Sequence, residues 1–232
     1  MRPPQLMTSA TDPELERWNA RFAADDFVFG TAANAFLAMQ APRLGPGMRA
    51  LCVADGEGRN SVWLAKQGLE VTAFDFSPVG LAKAKGLARR SGVAVDYRLS
   101  GVDAWDWNAR QYDLVAAIFV QFASPLQRER MFAGMKRALK PNGLLVLQGY
   151  RPEQIEYATG GPKRRENMYT EALLRESFAD LEILHLVSHD GMVDEGAGHS
   201  GMSALIDLVA TRRRVTAVTD ASVHERRMIL VP

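Results

Sequence analysis

Short apolar runs alternate with amphipathic stretches along most of this chain, and each change of period is marked by a turn residue. The first such marker is Asp12-Pro13-Glu14, which reads as a helix N-cap followed by proline in the first turn, so a helix through Trp18 and Phe22 should follow. Ala50 to Ala54 is an apolar run ending in Asp55-Gly56-Glu57-Gly58, and RNSVWLAKQG then reads as a helix stopped by Gly68. The pattern repeats. Glu70 to Phe74 predicts a buried strand with Asp75 at its end, and Ser77-Pro78 opens a helix to about Arg90. Val93 to Leu99 is a third strand candidate, and the continuous apolar run from Asp113 predicts a central strand covered on both faces.

Ser124-Pro125 opens another helix, with Phe132, Met135 and Leu139 on its apolar stripe, and KPNG at 140–143 ends it before a strand from Leu144 to Gly149. The rhythm then breaks into a long irregular connection over 150–169. After a short helix begun at Thr170, Leu181 to Ser188 and Ser203 to Thr211 predict an antiparallel edge pair joined by the loop DGMVDEGAGHSG. The tail from Arg212 carries Arg-rich clusters and reads as solvated or as a subunit contact. Repeated βα units imply an α/β fold around a doubly wound, mostly parallel sheet. The expected organisation is one domain over 1–232, with an N-terminal lid at 12–45, a core at 46–211 and a tail at 212–232.

Composition narrows the classes. An apolar fraction of 47% with 24% charged residues describes an ordinary globular chain. The net charge of +1 provides no field for gathering polyanions, so nucleic acid is not expected as a partner. The single cysteine, Cys52, allows neither an internal disulfide nor a thiolate zinc site, and no metal is expected. The N-terminus lacks the apolar core of a signal peptide and no run is long enough to span a bilayer, so the expected location is the cytoplasm, without membrane contact.

In an open parallel sheet, ligands bind beyond the carboxyl ends of the strands. There the chain offers Asp55-Gly56-Glu57-Gly58, then Asp75, then Asp103-Ala104-Trp105, then Ile118 to Phe122. Glycines admit close backbone approach, an acid ending the second strand can accept from both ribose hydroxyls, and Asp103 can accept from an adenine amino group while Trp105 or Phe76 covers the ring. A pyrophosphate on this turn would face Asp55 and Glu57, whereas an ammonium and a sulfonium would be attracted; Ser61 also stands where the dinucleotide fingerprint has its third glycine. S-adenosylmethionine is therefore favoured over NAD.

Four blocks, ADGEGRNSVWLAKQG (54–68), VTAFDFSPVGLAKA (71–84), YDLVAAIF (112–119) and ALKPNGLLVL (138–147), resemble class I S-adenosylmethionine-dependent methyltransferases, in particular the small-molecule branch with the tellurite-resistance and thiol-type enzymes. The resemblance implies a seven-stranded Rossmann-like sheet with an antiparallel last strand, and a segment FVFGTAANAFL folding over the cofactor. It departs from the family at Cys52, where an acid is usual, and at Ala54, where a glycine is usual. The cofactor contacts expected are Phe29, Gly30, Asn34, Asp55, Gly56, Gly58, Asn60, Asp75, Phe76, Ser77, Asp103, Ala104, Trp105 and Ile118. For an acceptor that needs a general base, the nominees are His199, Glu195 and Tyr150. His185 and His189 read as strand residues, and Lys163-Arg164-Arg165 as a solvated loop or a contact to an anionic substrate. The function expected is methyl transfer to a small molecule, such as a thiol or chalcogen oxyanion, by a monomer or homodimer. The alternatives are a non-catalytic S-adenosylmethionine-binding protein and a nicotinamide-dependent reductase.

Overall fold

The computed structural model describes residues 12–213, arranged around one seven-stranded sheet of order β3-β2-β1-β4-β5-β7-β6. The strands are β1 (Arg49–Val53), β2 (Glu70–Asp75), β3 (Asp96–Leu99), β4 (Tyr112–Ile118), β5 (Leu139–Tyr150), β6 (Glu182–Asp194) and β7 (Ser200–Thr211). The helices are α1 (Pro13–Phe22), α2 (Ala35–Ala38), α3 (Arg59–Lys66), α4 (Pro78–Arg90), α5 (Pro125–Ala138), α6 (Gln154–Tyr157) and α7 (Glu171–Ser177). β1 to β5 pair in parallel, and β7 runs antiparallel between β5 and β6. This is the Rossmann-like, doubly wound sheet that the sequence predicts. The expectations for residues 1–11 and for the tail beyond 213 lie outside the described residues.

The capping chemistry sets the helix starts. The side chains of Asp12, Ser77, Ser124 and Thr170 each accept a backbone N–H in the first turn of the helix that follows, and proline opens the first three of those helices. β4 is central and hydrophobic on both faces because both faces are covered. Val115 and Ala117 join the core under α5 and α7, with Phe132, Met135 and Phe178, while Leu114 and Ala116 join the opposite core with Phe36, Leu37 and Leu64.

Three boundaries differ from expectation. β3 is confined to Asp96–Leu99, because Gly92 takes a positive φ of 67° and the chain from there has still to turn into the sheet edge. The KPNG segment does end α5, but β5 already begins at Leu139: the register jumps from Tyr112↔Leu139 to Leu114↔Leu144, so Lys140 to Gly143 form a bulge with Asn142 at φ 64°. The last two strands form a much longer hairpin than the alternation shows. They pair from Glu182↔Thr211 to Asp194↔Ser200, leaving only 195–199 as the turn, closed by Glu195 N donating to His199 O at 2.8 Å.

Candidate active site

The chain passes from β1 to β2 on one side of the sheet centre and from β4 to β5 on the other, so the carboxyl ends of β1 and β4 open a crevice where the strand order reverses. A cleft lies there, with about 1070 Å³ of empty space among its lining residues, part of it open to solvent. Its walls come from the ends of β1, β2, β4 and β5, from α1, from the 27–34 segment and from the β6–β7 turn.

One end of the cleft is built around two acids. Asp75 closes β2 and is buried; its Oδ2 accepts from Gly56 N at 2.9 Å and its Oδ1 from Ser77 N at 2.8 Å. Each oxygen keeps a further lone pair, enough for two ligand hydroxyls. Burial raises its pKa above the ordinary carboxylate value, against the backbone donors that lower it. Asp55 follows Ala54, which sits at φ 48°, a left-handed backbone that an L residue holds under strain and that explains why a glycine is usual there. Asp55 Oδ1 accepts only a long 3.4 Å bond from Ser61 N, and Oδ2 is shielded from solvent without a partner. Burial pushes this carboxyl up to about 7. An acid with spare acceptors at the end of β2 and an orphaned carboxylate oxygen in the glycine turn fit the ribose and the ammonium of S-adenosylmethionine.

The opposite end is aromatic and basic. His199 lies among Phe29, Phe119 and Tyr150, with ring centroids at 4.4, 4.3 and 5.8 Å. Burial lowers its pKa below the usual imidazole value, so it is neutral near pH 7. Tyr150 is also buried, and desolvation holds its hydroxyl protonated. Glu195 is locked elsewhere: Arg59 Nη2 donates to its Oε2 at 2.6 Å, and Asn34 Nδ2 and Ala35 N donate to its Oε1 at 2.9 and 3.1 Å. Although burial alone would raise its pKa, these partners and His199 bring it down to about 2.

A buried polar chain extends this anchoring. Asn60 Oδ1 accepts from Asn34 N, Asn34 Nδ2 also donates to Gln148 Oε1, and Gln148 Nε2 donates to Asp207 Oδ1. Asp207 Oδ2 in turn meets His189 Nε2 at 2.9 Å. The 27–34 segment is thus strapped to α3, β5 and the hairpin turn. Val28 contributes twice more, donating to Glu57 Oε2 and accepting from Gly198 N, both at 2.8 Å.

Of the expected residues, Phe29, Asp55, Gly56, Asn60, Asp75, Phe76, Ile118, Tyr150 and His199 line the cleft. The others do not. Gly58 caps α3 at φ 90° and lies against α4, where an added Cβ would meet Ala84 Cβ at 2.7 Å; Ser77 caps α4, and Gly30 abuts Gly196. Asn34 and Glu195 work behind the wall. Glu57, expected to face the ligand beside Asp55, turns away to Lys83 at 2.5 Å and to Val28. Asp103 is exposed and held by α5, accepting from Arg130 Nε at 2.9 Å and Gln127 Nε2 at 2.8 Å. Ala104 stays with it on the surface, while Trp105 stacks on Phe74 at 4.4 Å; the hydrogen bonds to α5 draw this loop away from the crevice. The sequence reading missed Trp18, Arg21, Phe22 and Arg59, which also line the cleft, as do Phe119 and Phe122 of the 118–122 segment it offered. The i, i+3, i+4 spacing of Trp18, Arg21 and Phe22 is the signal that α1 presents one face to something.

Residues 50–143 match the methyltransferase domain family. A ubiquinone biosynthesis O-methyltransferase of Methylocella silvestris is 33% identical over 109 residues, 45% of this chain and 41% of its own. A demethylmenaquinone methyltransferase of Renibacterium salmoninarum is 32% identical over 130 residues, 56% of this chain and 50% of its own. The chain therefore spans about half the length, or less, of the curated relatives it matches. Among solved structures, TehB from Haemophilus influenzae superposes with a TM-score of 0.63 at 19% identity, covering 79% of this chain and 63% of that one. The N-methyltransferase NodS from Bradyrhizobium japonicum, in complex with S-adenosylhomocysteine, superposes with a TM-score of 0.66 at 16% identity, covering 88% of this chain and all of that one. The fold is that of the class I S-adenosylmethionine-dependent methyltransferases. Residues 50–143 carry the methyltransferase domain within that architecture.

Proposed function

We propose that the chain transfers the methyl group of S-adenosylmethionine to a small organic acceptor. The observation that carries this reading is the pairing of Asp75 at the end of β2 with the partnerless Asp55 oxygen, in a cleft that continues beyond them into an aromatic chamber. The cofactor supplies an electrophilic methyl group, so positioning and exclusion of water can provide much of the catalysis. Asp75 and Asp55 would hold the ribose and the ammonium. Phe29, on the strap, covers the chamber and keeps water out.

Of the three nominated bases, the imidazole of His199 is the one suited to take a proton at neutral pH. Glu195 is held as the partner of Arg59, with a pKa of about 2, and Tyr150 is protonated. A thiol or other readily ionised acceptor needs no base, whereas an alcohol or phenol would use His199. The quinone-pathway names of the curated relatives fit an aromatic chamber, and no helix among the described residues is long and apolar enough to cross a membrane. The cytoplasm suits this reading.

Calorimetry with S-adenosylhomocysteine and NADH side by side tests it. S-adenosylhomocysteine should bind and NADH should not, and Asp75→Ala should weaken binding by ~1.5–3 kcal/mol, the scale of hydrogen bonds to a charged acceptor. Binding of NADH alone, or an Asp75→Ala variant with wild-type affinity, refutes the assignment.

A further inference from the structure

The two ends of the cleft have opposite electrical characters. Asp55 and Asp75 stand at the nucleotide end, whereas at the far end Arg59, Tyr150 and His199 line the wall at 6%, 1% and 7% exposure. Arg59 Nη1, the Tyr150 hydroxyl and His199 Nδ1 are all shielded from solvent and have no hydrogen-bond partner. Arg59 uses Nη2 on Glu195, and the 3.9 Å between His199 Nδ1 and Glu195 Oε2 is too long for a hydrogen bond. Leaving a buried donor unpaired is costly, so several on adjoining walls of one cleft call for a ligand that pairs them.

A further cation stands at the mouth. Arg21 lines the cleft with its guanidinium 5.0 Å from the Phe29 ring centroid and 5.2 Å from that of Trp18, and it makes no ion pair among the described residues. Beside these donors the walls are aromatic: Phe29 lies against both Arg21 and His199, and Phe119 against both Tyr150 and His199. A ligand complementary to this space has a flat apolar body and one compact anionic group.

We propose that the methyl acceptor is an organic acid whose carboxylate is received by Arg59 Nη1, the Tyr150 hydroxyl and Arg21, with its apolar body against Phe29 and Phe119. This rests on the methyltransferase reading of the cleft and names the substrate class that reading leaves open. A rival source of the same chemistry is the carboxylate of the cofactor's own methionine moiety, and the experiment separates the two.

The full chain is saturated with S-adenosylhomocysteine and titrated with benzoate and phenylacetate, then with benzamide and phenylacetamide, which have the same shape without the charge. The acids should bind roughly tenfold or more tightly than the amides, one charge-assisted hydrogen bond's worth. Arg21→Gln and Tyr150→Phe should each narrow that difference, Arg21→Lys should retain part of it, and unchanged melting temperatures should show that the variants are folded. Equal binding of acid and amide, or no binding of either, overturns the inference. It also falls if Arg21→Gln and Tyr150→Phe weaken S-adenosylhomocysteine while the difference between acid and amide stands, since the donors would then serve the cofactor's carboxylate. Failure of the wild-type chain to bind S-adenosylhomocysteine is a separate result, and it removes the methyltransferase reading together with the inference.

Discussion

Asp55 and Asp75 are carboxylates on neighbouring strand ends, and the protein solves their proximity by partnering one and not the other. Asp75 is fixed by two backbone donors, whereas Asp55 is faced by the Asp75 charge, by Arg59 and by a weak bond from Ser61. With its pKa raised by burial to about 7, Asp55 is half protonated near neutrality and gains its charge as the pH rises. Affinity for S-adenosylhomocysteine, whose ammonium Asp55 would hold, should therefore increase between roughly pH 6 and 7.5, before the ligand's own amine titrates. Asp55→Asn should flatten that slope in calorimetry at several pH values. A raised folded-state pKa means that the unliganded fold binds protons better than the unfolded chain, so this group's contribution to stability declines as the pH rises from 3.8 to about 7 and is level above that.

Glu195 has the opposite sign. Its partners lower its pKa from 4.5 to about 2, so its contribution to stability is fully present above 4.5 and is lost as the pH falls toward 2. Glu195→Gln would leave the Arg59 cation buried without its counter-charge and should cost about 3–5 kcal/mol, read as a lowered urea midpoint with unchanged m. A variant as stable as wild type would show that the pair is solvated. These residue-level facts were only partly legible in the sequence. Asp55 and Asp75 stand out because strand ends in a βα pattern are where ligands bind, but nothing local to EGAGHSG says that Glu195 belongs to Arg59.

The elements themselves follow closely from local chemistry, since α1, α4, α5 and α7 start where Asp12, Ser77, Ser124 and Thr170 offer a side-chain acceptor. Long-range pairing is less visible. The β6–β7 hairpin runs through Gly191 and Gly201, residues that look like loop punctuation, because twelve cross-strand pairs from Glu182↔Thr211 onward outweigh their poor strand preference. Asp103 illustrates the converse: a strand-end acid in the expected place is captured by Gln127 and Arg130 of α5. The turn of the hairpin meets the strap at two glycines. A Cβ on Gly196, at φ 76°, would lie 2.4 Å from Gly30 N and 2.7 Å from Val28 O, all of it backbone. Gly196→Ala should push the strap off the hairpin, so amide exchange across 27–35 should speed up and affinity for S-adenosylhomocysteine should drop. Wild-type protection in that segment would mean that α3 and β5 hold the strap without the hairpin.

At the scale of the whole molecule, one sheet supplies the floor of the cleft through its strand ends, and helices on both faces keep those ends rigid. The ligand is therefore coupled to global unfolding. At a hundred times its dissociation constant, S-adenosylhomocysteine should stabilise the fold by about 2.7 kcal/mol, and at this chain length the melting temperature should rise by roughly 5–10 °C. No shift under those conditions would mean that the cleft is not the binding site. The cross-links that finish the cleft join distant parts of the chain: Asn34 donates to Gln148 across 114 residues and to Glu195 across 161. A chain leaving the ribosome N-terminus first exposes both nucleotide-end acids early, yet the strap has no hairpin turn to seat on until β6 and β7 have emerged. Closure of the chamber is thus among the last events of the chain's folding.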